Sequence, residues 1–162
     1  MDEEYVHIAY SPVYFNLEAL PYTNLSEYNF FQGEMKNLTA VYGVLPYELI
    51  NPLFTDYSLK DRFVWMPQEE NAYYLGDSEV LNFPTGTILI KNFSYNGVVP
   101  SNERKNIETR LMIKKDEGWI FANYIWNDEQ TEAVYNLDGS TVEIEWTENN
   151  ITNTVNYRVP SG

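Results

Sequence analysis

The chain contains no cysteine and a single histidine, His7, among its 162 residues. Without thiols it carries no disulfide, no thiolate metal site and no covalent haem attachment. A metal centre draws on about three or four protein ligands, so the lone histidine is assigned no site. Positive charge is scarce as well: 10 lysines and arginines face 24 aspartates and glutamates, a net charge of −14. Such an excess repels nucleic acid and anionic membrane surfaces, and neither is expected as a partner. No apolar run reaches the length of a membrane span, so direct membrane insertion is not expected. No leader is visible, and the start Met1-Asp2-Glu3-Glu4 reads as an added one that says little of the native precursor. A glycine-rich phosphate loop and a Gly-x-Ser-x-Gly elbow are also missing, which removes the usual frameworks for phosphoryl transfer and serine hydrolysis.

What the chain has instead is aromatic and apolar surface. Hydrophobic residues make up 44% and aromatics 16%, with 14 tyrosines, enough for one folded domain of this length. The organising stretch runs from Glu108 to Ala133. Ile107, Thr109, Leu111 and Ile113 alternate with Glu108, Arg110, Met112 and Lys114, the period-two pattern of a half-buried strand. Lys114-Lys115-Asp116-Glu117-Gly118 breaks the pattern and predicts a tight loop. Trp119 to Trp126 then returns as a strand apolar on both faces, which predicts a central place in a sheet covered on both sides.

Upstream, Asn24-Leu25-Ser26-Glu27 reads as a capping box opening a helix of about two turns that ends at Gly33. Val44 to Phe54, broken by Pro46 and Pro52, reads as an extended, aromatic-rich wrap. Asp61 to Met66 is a short strand ended by Pro67, and Gln68 to Ser78 an acidic loop. Thr87 to Tyr95 is a strand, and Asn96 to Asn106 a loop. Asp138-Gly139 predicts a turn between Ala133–Leu137 and Thr141–Trp146, and Asn149-Asn150 a turn into Ile151–Val159. Short connections of this kind predict a mainly β fold: an antiparallel meander sheet, sandwich-like or curved, with a short helical and extended N-terminal wrap. Residues 1–24 read as an N-terminal extension and residues 25–162 as a single β-rich domain.

The best polar cluster is Glu108 and Arg110 on one strand face, near the strand end that carries Asn127, Asp128 and Glu129. Its plain reading is a salt-bridged sheet edge with Asn127 and Asp128 closing a turn. Asp56, Asp61 and Arg62 invite the same reading. With 24 acidic residues some carboxylate pair always looks suggestive, and a hydrolase would need two of them facing at about 5–10 Å. No catalytic residue is assigned. Sequons occur at Asn24, Asn37, Asn92 and Asn150, a weak signal in an Asn- and Thr-rich chain. The Tyr and Trp richness leaves open a glycan- or small-ligand-binding module.

Several segments together resemble a bacterial family. They are Leu25-Ser26-Glu27-Tyr28-Asn29-Phe30-Phe31, Leu45-Pro46-Tyr47-Glu48-Leu49 and Asn51-Pro52-Leu53-Phe54-Thr55-Asp56-Tyr57. Arg62-Phe63-Val64-Trp65-Met66-Pro67, Phe83-Pro84-Thr85-Gly86-Thr87, Glu108-Thr109-Arg110-Leu111 and Tyr124 to Ala133 follow in order, and Asn156-Tyr157-Arg158-Val159-Pro160 closes the series. The order resembles the dihaem c-type cytochromes that are exported, often lipid-anchored, and frequently paired with a parallel β-helix protein. In that family the last segment runs almost directly into a Cys-x-x-Cys-His haem site, whereas this sequence stops at Gly162. The resemblance therefore implies a haem-free N-terminal module. No cofactor is expected in this segment, and haem c is expected only downstream of Gly162. The implied partners are the chain's own C-terminal haem region and a parallel β-helix protein. The implied location is periplasmic or cell-surface, with lipid anchoring through a missing N-terminus.

Overall fold

The computed structural model describes residues 10–51 and 53–161, so His7 and Pro52 lie outside the described residues. The described chain is mainly β, as the alternations predict: one antiparallel eight-stranded sheet, not closed into a barrel. Its strands are β1 (Val44–Pro46), β2 (Leu59–Trp65), β3 (Ile88–Val98), β4 (Glu103–Lys115), β5 (Gly118–Trp126), β6 (Ala133–Tyr135), β7 (Ser140–Glu148) and β8 (Ile151–Val159). They lie in the order β1-β2-β3-β4-β5-β6, while β7 pairs with β8 and touches the end of β3 at Val98.

Because side chains alternate along a strand, the sheet has two unlike faces. One presents Phe63, Trp65, Ile88, Ile90, Leu111, Ile113, Ala122, Tyr124 and Trp126, and the N-terminal wrap covers it with Leu20, Tyr22, Leu25, Tyr28, Phe30 and Phe31. Fully burying side chains of this size contributes about 1.5–3 kcal/mol each. Their polar tips are satisfied: Tyr124 Oη donates to the Tyr22 carbonyl (2.8 Å) and lies 2.9 Å from Tyr28 Oη. Burial holds the Tyr124 phenol far above its usual pKa. On the opposite face the β7–β8 hairpin packs Ile144, Trp146, Tyr157 and Val159 against Phe93, Tyr95, Val98 and Ile107, giving a second core.

The Asn24 box forms, with the Glu27 carboxylate accepting from the Asn24 amide (2.6 Å), but the helix it opens does not reach Gly33. It is a single 3-10 turn, Leu25–Tyr28, and Asn29 ends it in the left-handed region (φ 58°). Phe30 and Phe31 are both buried, and an extended backbone lets neighbouring aromatics reach opposite neighbours where a helix would not.

β5 is not central. β3 and β4 are, and β5 has strands on both sides only where β6 pairs with Tyr124–Trp126. Its first half is an edge, and Phe121 is 65% exposed. The segment 96–106 is also mostly strand: β3 runs to Val98 and β4 starts at Glu103. Register shifts after Phe93 and Tyr95 break the period-two pattern there, which is why the sequence reads as a loop. Gly97 (φ 65°) lies so close to β7 that a Cβ would meet the Thr147 carbonyl oxygen at 2.7 Å. Lys115 and Gly118 close the β4–β5 hairpin, and Asn149-Asn150, both with positive φ, close the β7–β8 hairpin as expected. The Asp138-Gly139 turn has a different role from a hairpin: β6 and β7 do not pair with each other, and the turn carries the chain from the wrapped face to the second core.

Candidate functional site

Strand register builds three parallel rows on the face that carries the hairpin. Lys60, Phe93, Glu108 and Ile125 stand opposite one another across β2, β3, β4 and β5. Two residues along, Arg62, Lys91, Arg110 and Asn123 form the next row. Two further on, Leu45, Val64, Leu89, Met112 and Phe121 span β1 to β5. The first row lies towards the second core, which takes in Phe93 and Ile125. The third leaves Leu45 56% and Phe121 65% exposed.

Glu108 is fully buried where the first two rows meet. One of its oxygens accepts from Arg110 Nε (3.0 Å), from Arg110 Nη2 (2.5 Å) and from Tyr157 Oη (2.5 Å). The other oxygen, Oε2, has no hydrogen-bond partner among the described residues. Burial and the bond to Glu108 push the Tyr157 phenol well above its usual pKa. Lys91 Nζ and the Arg110 guanidinium both sit over the Phe93 ring, 4.7 and 4.5 Å from its centre. The Lys91 ammonium is held below its usual pKa by burial and by the charges of Arg62, Arg110 and Lys60. In a chain of net charge −14, this face is locally cationic.

The predicted polar cluster is split between four places. Glu108 and Arg110 pair as expected, with Tyr157 as an unforeseen third member. Asn127 closes the turn after β5, its Oδ1 accepting from the amides of Thr131 (2.9 Å) and Glu132 (3.2 Å). Asp128 is 90% exposed and pairs with Lys105 (2.7 Å), which holds its carboxyl below the usual range. Glu129 is exposed on the rim of another cleft, near Ser26 and Gly33. Among the described residues no cluster of His, Cys, Asp and Glu is arranged to hold a metal ion.

No family model matches the chain, and neither does any curated protein or solved structure. Behind the site, on the wrapped face, a buried polar chain fixes β3 and β4: Trp126 Nε1 donates to Thr109 Oγ1 (3.0 Å), Thr109 Oγ1 to Asn92 Oδ1 (2.7 Å), and Asn92 Nδ2 to Asn106 Oδ1 (2.9 Å). Asn106 Nδ2 in turn donates to the Lys36 carbonyl (2.9 Å), tying the wrap to the sheet. Asn92 is wholly buried, so its sequon is closed to glycosylation in the folded protein.

The cation row itself was not visible in the sequence. Arg62 read, with Asp56 and Asp61, as part of a salt-bridged sheet edge, yet it is 5% exposed and shares a row with Lys91 and Arg110. The available signal was that each is a cation within an alternating strand. Only pairing shows that all three occupy one level of the sheet.

Proposed function

We propose that this chain is a non-catalytic β module of an exported c-type cytochrome-like protein, docking the haem-bearing region for electron transfer. The observation that carries the reading is the row Leu45–Val64–Leu89–Met112–Phe121, exposed at its two ends and half-buried between them, beside the cations Arg62, Lys91 and Arg110. A contiguous apolar stripe left in water is costly, and such stripes commonly mark interaction surfaces. The adjoining cations select a partner with acidic groups at the edge of its apolar patch, because opposite charges fix register and suppress wrong partners. The resemblance of the ordered segments from Leu25 to Pro160 to the dihaem cytochromes supplies the identity of that partner: the chain's own haem region, encoded downstream of Gly162. A parallel β-helix protein is the second proposed partner, and the periplasm or cell surface the proposed location.

The test is expression with a cytochrome-maturation system. Residues 1–162 alone are expected to show no Soret band, whereas the natively extended chain shows a reducible haem band. Removing residues 1–160 from the extended chain then shifts the haem midpoint potential, because burial is one determinant of it. A native gene without a Cys-x-x-Cys-His motif beyond this segment contradicts the proposal.

A further inference from the structure

A second feature lies at the end of the cation row. Between β2 and the loop that precedes it is a cleft of about 430 Å³, within the range of small-ligand sites. Leu53, Phe54, Tyr57 and Leu59 supply its apolar lining, and Lys60 and Arg62 its cations. Arg62 is the unusual member. It is 5% exposed, yet among the described residues its guanidinium donates no hydrogen bond, and its one ion pair, to Glu48, is long (3.8 Å). Glu48 is itself 85% exposed and gains little from so loose a pair in water. On the same face of the sheet, Arg62 is flanked across the strands by Lys91 and along its own strand by Lys60, both cations. A guanidinium on a side chain only 5% exposed, flanked by like charges and held by one loose carboxylate, is poorly compensated, and a bound anion offsets that cost.

The wall of the cleft is built in advance. Asp56 (φ 44°) and Tyr57 (φ 60°) are both in the left-handed region, which bulky side chains rarely adopt. The Thr55 carbonyl accepts from the Ser58 amide (2.9 Å) and from Ser58 Oγ (2.8 Å), and Tyr95 Oη donates to the Asp56 carbonyl. Tyr57 is held edge-on to Phe54 (4.9 Å between ring centres) and against Trp146 (6.0 Å). Strain kept at such a loop, with aromatic rings presented to the cleft, points to a function for its shape. Lys60 Nζ, anchored to the Ser58 carbonyl (2.8 Å), places a second cation at the mouth. Burial and Arg62 hold that ammonium below its usual pKa.

We propose that this cleft binds a small carboxylate with a flat apolar body, its carboxylate on Arg62 and Lys60 and its body against Leu53, Phe54 and Tyr57. The planar guanidinium fork suits a carboxylate, and Glu48 is the group the ligand displaces. The site needs no partner protein, so its failure would leave the docking proposal standing, and the reverse holds too.

The experiment is a backbone NMR titration of the full chain with 2-naphthoate, and separately with the neutral 2-naphthalenemethanol and with inorganic phosphate. The expected result is saturable shifts of the Phe54 and Tyr57–Arg62 amides with naphthoate only. Phe54→Ser and Lys60→Gln are at accessible positions and each weakens binding several-fold; Arg62→Gln weakens it by about tenfold or more, as loss of a charge-assisted bond requires. Glu48→Gln removes the competing carboxylate and tightens it. If Arg62→Gln does not fold, the other three variants decide. An absence of saturable shifts, equal binding of the neutral alcohol, equal binding of phosphate, or indifference to Phe54→Ser and Glu48→Gln would each overturn the proposal.

Discussion

Replacing Arg110 with alanine isolates the interaction on which the Glu108 site depends. Glu108 is fully buried, and Arg110 supplies two of the three donors on its one bonded oxygen. Removing one partner of a buried ion pair costs about 3–5 kcal/mol. The Arg110 side chain is 33% exposed, so water entering the vacated space lowers the expected loss to about 2–3 kcal/mol. The Phe93 ring also loses a cation from its face, a smaller contribution of about 0.5–1 kcal/mol within that total. In a domain of this size the change lowers Tm by about 4–12 °C, read by circular dichroism on heating. Because most of the cost is a stranded carboxylate, Glu108→Gln in the Arg110→Ala background returns part of it. The double-mutant cycle should give a coupling of about 1–2 kcal/mol. Additive single effects, with coupling near zero, would refute the view that Arg110 acts by neutralising Glu108.

Tyr157→Phe removes the remaining donor to Glu108 and should cost about 1–3 kcal/mol in chemical denaturation, while Tyr14→Phe, at an exposed ring, should cost almost nothing. Asn92→Ala breaks the buried chain between Thr109 and Asn106 and should destabilise by about 2–3 kcal/mol, more than Asn149→Ala in an exposed turn would if it kept its backbone shape. Burial pushes the pKa of the Tyr95 phenol up from its usual 10.0 to about 12. A raised folded-state pKa means stability is intact below about pH 10 and is lost as pH rises towards 12, so alkaline unfolding and tyrosinate absorbance should rise together. Amide exchange should be slowest in β3 and β4, and within β5 slower at Tyr124–Trp126 than at Trp119–Phe121; a uniformly slow β5 would contradict its edge position.

Local chemistry accounts for what the sequence discloses. Asn149-Asn150 and the Asp116-Glu117-Gly118 loop are set by backbone preferences of a few neighbours, and both hairpins form where those residues stand. The pattern at Ile107–Lys114 depends on one strand's two faces, and β4 follows it from Glu108 onwards. Other features depend on residues far along the chain. Phe121 reads as core because it sits among aromatics, yet the β7–β8 hairpin on its face packs against Phe93 and Ile125 and leaves Phe121 exposed. Glu108 reads as a wet edge residue, yet Tyr157, 49 positions later, folds over it. The bulges after Phe93 and Tyr95 erase the alternation that would have extended β3. Arg62, Lys91 and Arg110 become a row only once three strands are paired in register.

The docking account is tested most directly by hydroxyl-radical footprinting of residues 1–162 against the natively extended, haem-loaded chain. The account predicts that oxidation of Leu45, Met112 and Phe121 falls several-fold in the extended chain, while the exposed ring of Tyr14, stacked on Tyr22 of the wrap that covers the other face, reacts unchanged. Equal oxidation of Leu45, Met112 and Phe121 in both proteins would show that the open face meets no haem region, and would contradict it.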